Sequence, residues 1–98
     1  VNATTARLAL LVLLATPAVA VRADETALTL ADGPELPTVR ANCSICHSLD
    51  YIQMNAPFLK KAGWEAEVRK MIKVMGAPAS DADAAQVIAY LARHYAVD

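Results

Sequence analysis

Cys43-Ser44-Ile45-Cys46-His47 is the stretch on which the reading of this chain turns. It has the form C-x-x-C-H, the pattern by which a c-type haem is attached to protein. Positions three apart on a helical turn share a face, so the two thiols can form thioethers to the two vinyl groups of one porphyrin. His47 follows at once, and a ring held by both thioethers brings its iron within reach of the imidazole Nε2 as an axial ligand. Two other uses of paired cysteines fit less well. A thioredoxin-like redox pair needs a strand-helix-strand setting, and no part of this chain reads convincingly as a strand. A zinc ion needs four ligands, and the cysteines and histidines are only Cys43, Cys46, His47 and His94. Adjacent Cys46 and His47 are badly placed to close a tetrahedron with one distant fourth ligand.

Upstream of the motif, residues 1 to 20 carry a single charge at Arg7, an apolar run from Leu8 to Ala15 and small residues at Ala18 and Ala20. That is the form of a secretory signal peptide, with cleavage expected after Ala20 or Ala23. The run is too short for a transmembrane helix, so no membrane span is expected after cleavage. Export puts the protein in the bacterial periplasm, where disulfides can persist. Both cysteines are already assigned to haem, so none is expected. The nine Lys and Arg of the chain less Arg7 leave eight, against ten Asp and Glu. An acidic balance of this kind excludes a nucleic-acid binder. The exported part makes one small domain whose side chains alone give a marginal core, and a covalent cofactor supplies the missing staple.

The exported chain divides into an extended arm, 21–37, and a haem domain, 38–98. The arm holds Asp24, Glu25, Asp32, Gly33, Pro34, Glu35 and Pro37, polar residues and breakers that suit a tail or a segment lying on a partner. Thr38, after Pro37, is the expected N-cap of a short helix that delivers the C-x-x-C-H turn. Residues 48 to 59 show neither alternation nor a sustained helical period and read as a loop on the haem edge. Trp64, Val68, Met71, Ile72 and Met75 then form the stripe of an amphipathic helix, with Glu65–Arg69 and Glu67–Lys70 pairs on its outer face. Gly76 and Pro78 end it. Ser80 and Asp83 resemble a capping box opening a last helix, about Asp81 to Tyr95, whose buried stripe is Ala84, Val87, Ile88, Leu91 and Tyr95. The fold class is all-α: three main helices around one covalently bound haem.

The second face of the iron has four candidates. Met54 lies seven residues after His47 and suits packing. His94, near a helix C-terminus, suits a solvent-facing group favoured by the helix dipole. Met71 and Met75 share the Trp64 stripe, and Met71 is preferred, with Met75 the alternative because Gly76 and Pro78 give it freedom to turn inward. A thioether there fills the sixth position and raises the reduction potential, which favours electron transfer over ligand chemistry. No acid/base pair or activated nucleophile stands out elsewhere, so the chain is not expected to be an enzyme by itself.

The order of helix, C-x-x-C-H, Pro-containing loop, helix and C-terminal helix resembles a small class I cytochrome c. In that family a proline carbonyl accepts the Nδ1 hydrogen bond of the axial histidine, and Pro57 is the matching residue. A narrower pattern, Cys43 to Asn55 (CSICHSLDYIQMN), Pro57-Phe58, Trp64, Glu67-Val68, Lys70-Met71, Gly76-Ala77-Pro78 and Tyr90-Leu91, resembles the haem c cytochrome subunit of bacterial sulfite dehydrogenase, also called sulfite:cytochrome c oxidoreductase. That resemblance implies a heterodimer with a molybdopterin-containing catalytic subunit, from which this chain takes electrons and passes them to a soluble cytochrome c. The expected haem contacts are then Cys43, Cys46, His47, Pro57 and Trp64, with His47 on the iron and Met71, or Met75 as the alternative, as its second ligand.

Overall fold

The computed structural model of the protein describes Pro17, Ala18, Ala20 and residues 29 to 98; the rest of the expected signal peptide and the start of the arm, 21–28, lie outside the described residues. Four helices form there: α1, Leu36–Cys43; α2, Asp50–Asn55; α3, Lys61–Lys73; and α4, Asp81–His94. Among the described residues there is no strand, only one parallel bridge between Lys60 and Val97. No helix among them is long and apolar enough to cross a membrane.

Breakers and caps set the helix ends. Pro37 lies inside the first turn of α1, where its missing N–H costs nothing, so that helix starts at Leu36 and the expected cap at Thr38 is displaced. Thr38 instead donates its hydroxyl to Gln86 Oε1 of α4 at 2.9 Å. The capping expected at α4 is present: Ser80 Oγ accepts from the Asp83 N–H at 3.1 Å, with Asp81 and Asp83 in the first turn. At the end of α3 the chain turns on Gly76, whose φ of 77° is left-handed, and the Ala77 N–H bonds back to the Met71 carbonyl at 2.9 Å. Part of the stretch expected to be loop, 48 to 59, is helical: α2 turns Ile52 into the core.

Helix α4 is the centre of the packing, and both α1 and α3 pack against it. Val39, Trp64, Val87, Tyr90 and Leu91 from these three helices are buried together with Ile52 and Leu30. Leu30 corrects the reading of the arm. Residues 29 to 35 do not hang free; they strap their own domain. Tyr90 donates its hydroxyl to the Ala31 carbonyl, the Ala31 N–H donates to Tyr95 Oη at 2.8 Å, and Arg93 pairs with Glu35 at 3.0 Å. Gln53 Nε2 adds a bond to the Thr29 carbonyl at 2.9 Å. A single apolar residue between breakers can enter a core when the backbone beside it is hydrogen-bonded in this way.

Candidate functional site

Helix α1 ends at Cys43, and the turn that follows carries Cys46 and His47 to the rim of a cleft of about 200 Å³. Both thiols are free; Cys43 is half-buried and burial pushes its pKa above the ordinary thiol value, while Cys46 is exposed. The His47 Nδ1 lies 3.1 Å from the Ser48 carbonyl. A carbonyl can only accept, so a hydrogen bond here needs the proton on Nδ1, and in a neutral ring with that tautomer Nε2 is the nitrogen that can ligate a metal. The His47 ring also stands 5.1 Å from that of Tyr51, which lines the cleft as well.

Another wall is α3 with the turn that follows it. Trp64, Val68, Met71, Ile72 and Met75, the stripe expected from sequence, all line the cleft. Trp64 is held in place from behind, its indole N–H donating to the Tyr95 carbonyl at 3.0 Å. Met71 is half-buried and Met75 is exposed, so both thioethers remain available to the cleft. Ala84, Val87 and Leu91 of α4 form the floor, and the small Ala77 and Ala79 leave the rim low.

Three residues weighed from sequence lie elsewhere. Pro57 is exposed and does not line the cleft; Ser48, adjacent in sequence and therefore nearer at hand, supplies the carbonyl beside His47 Nδ1. Met54 is exposed on α2 and also stands off the cleft. His94 is half-buried, not solvent-facing, with its ring 4.8 Å from that of Tyr90 on the side of α4 that carries the strap.

One lining residue was expected on the outer face. The expected ion pairs Glu65–Arg69 and Glu67–Lys70 both form, at 2.8 and 2.9 Å. Glu67, however, is in the cleft wall and not only on the outer face: Lys70 reaches its Oε1, while its Oε2 is buried with no hydrogen-bond partner among the described residues. This carboxylate holds the exposed Lys70 ammonium above the usual lysine value. Its position three after Trp64 and four before Met71 puts it at the border of the apolar stripe.

The donor set fits a covalently held haem. Two thiols and an imidazole share one rim, one thioether stands on α3 and a second on the turn just after it, and the surfaces between are almost wholly apolar. Among the described residues no three His, Cys, Asp or Glu side chains converge as a closed metal site. No protein-family model matches the chain, and no curated protein matches it significantly.

Proposed function

We propose that this chain is an exported, periplasmic electron-transfer protein carrying one haem c, with a class I cytochrome c-like fold. The observation that carries the reading is the convergence of Cys43, Cys46, His47 and the Met71/Met75 pair on the walls of one apolar cleft. Each thiol adds its S and H across a vinyl double bond, so attachment balances without a leaving group. When bound, the haem supplies a one-electron couple at its iron. The chain's part would be to hold it: Cys43 and Cys46 would anchor it, His47 would offer Nε2 from one rim, and Met71 of α3, or Met75 of the turn after α3 in its place, would offer a thioether. Trp64, Val68 and Leu91 exclude water from the inner part of the cleft, which strengthens the influence of nearby charges on the couple.

The narrower function is that of the cytochrome subunit of a sulfite dehydrogenase, taking electrons one at a time from a molybdopterin-containing catalytic subunit and passing them to a soluble cytochrome c. It is supported by the resemblance of residues 43 to 91. The chain is then not an enzyme by itself. Purification from the native periplasm, with assays for covalent haem, molybdenum and haem reduction on adding sulfite, tests both levels. Haem reduction by sulfite in a preparation that holds a larger molybdenum chain is the expected result. A haem protein alone, left oxidised by sulfite, makes it a freestanding carrier; a chain without covalent haem ends the reading altogether.

A further inference from the structure

Glu67 is out of place in an apolar wall. Its Oε2 is buried and has no donor among the described residues, although Oε1 is served by Lys70. Leaving a buried carboxylate oxygen without a partner is unfavourable, and such an atom calls for a compensating charge or donor. The other cation near it on α3 does not supply one, because Arg69 is taken up by Glu65 through two hydrogen bonds. The neighbours of Glu67 one turn away on the same face are Trp64 and Met71, both lining the cleft. The compensation therefore comes from the side of the cleft.

We propose that Glu67 is a positioning residue that sets the charge felt by the cleft's occupant, and this rests on the haem reading above. The oxidised iron carries one more positive charge than the reduced iron, so a carboxylate in a low-dielectric wall stabilises the oxidised state more. Lys70, bonded to the other oxygen, partly neutralises it. The Glu67–Lys70 pair thus sets the midpoint potential by opposed charges, and the two residues act in opposite directions.

The test is spectroelectrochemical titration of the full haem-loaded chain. Glu67→Gln, which keeps shape and removes charge, raises the midpoint potential; Glu67→Asp, which keeps the charge, moves it less. Lys70→Gln lowers it. Glu65→Gln, two residues earlier on the same helix but off the cleft, leaves it at the wild-type value. Equal potentials for wild type and Glu67→Gln, or equal shifts for Glu65→Gln and Glu67→Gln, overturn the inference while leaving the haem reading intact. Should Glu67→Gln fail to fold, Lys70→Gln decides alone, and an unchanged or raised potential overturns it. A chain that never acquires covalent haem, seen by mass, removes the haem reading and the inference with it.

Discussion

The two sides of α4 are built differently. On one side Tyr90 is fully buried, with Leu30 over it and the strap tied down by the Tyr90, Tyr95 and Arg93 side chains. On the other, Ala84, Val87 and Leu91 look into an open cleft whose far wall is half-exposed. Helix α4 thus has a closed core on one flank and an unfinished one on the other. In a domain this small, leaving one flank open is costly unless something fills it. The difference between the sides locates where the missing apolar volume belongs.

The largest effect expected from this contrast is on stability. Leu30→Ala removes a buried side chain from the closed flank and should cost about 2–5 kcal/mol in urea or thermal unfolding. Ile72→Ala, on the half-buried cleft wall, should cost less than about half as much in haem-free protein, because its side chain already faces open space. Loading with haem should raise the Ile72→Ala cost and leave that of Leu30→Ala unchanged. Equal costs in haem-free protein would show that the two flanks are closed alike.

The asymmetry also explains what could be read from sequence and what could not. The cleft flank follows strong local signals: C-x-x-C-H is contiguous, the α3 stripe repeats at helical spacing, and Ser80 and Gly76 mark neighbouring helix ends. The closed flank is assembled from distant pieces. Leu30 is one apolar residue among breakers, and the backbone beside it is tied down from as far as Tyr90, 59 positions from Ala31, so no period announces it. Tyr90 escaped because the single-sided stripe drawn through Val87, Leu91 and Tyr95 suits a helix buried on one face, whereas both α1 and α3 pack against α4. Helix α2 is too short, at six residues, to show a period at all. Glu67 was legible in principle: a charge at the border of a stripe, one turn before a candidate ligand, belongs to the cleft as much as to solvent.

A second, smaller break in the contrast lies at the end of α3. Gly76 has a left-handed φ and no atom of the described residues near where a Cβ would stand, so among them Gly76→Ala meets no clash and costs the conformational strain, about 1–2 kcal/mol. Because Gly76 directly follows Met75 and the Ala77 N–H bonds to Met71, the same change should disturb the low-spin spectrum of the loaded protein. Loss of stability with an unaltered spectrum would detach the turn from the cleft. On the closed flank, Tyr90→Phe removes one hydrogen bond to the Ala31 carbonyl and should cost about 1 kcal/mol near neutral pH. Burial, then the hydrogen bond with Tyr95, pushes the Tyr90 phenol above its ordinary value. A raised pKa in the folded state gives a contribution that is full below about pH 10 and is lost as pH climbs towards the folded value. Wild type should therefore lose stability above about pH 10 more steeply than Tyr90→Phe, and parallel urea midpoints across that range would count against the buried phenol.

The smallest effect expected is kinetic, and it reads both flanks in one tube. In haem-free protein Cys46 is exposed, whereas Cys43 is half-buried and its pKa is raised by burial. A raised pKa leaves less thiolate at a given pH, and the thiolate is the nucleophile. Near pH 8, Cys46 should therefore be alkylated several-fold faster than Cys43, as peptide mass mapping would record. Raising the pH should narrow the gap, leaving only the part due to exposure. Cys43 sits at the end of α1, and α1 is held against α4 by Thr38–Gln86 and by the core residue Val39, so its protection persists only while that packing persists. Addition of urea should bring the two rates together at the concentration where the closed flank unfolds. Equal rates in the absence of urea would mean that α1 docks only once haem is attached, and that the closed flank needs the cleft to be filled before it can close.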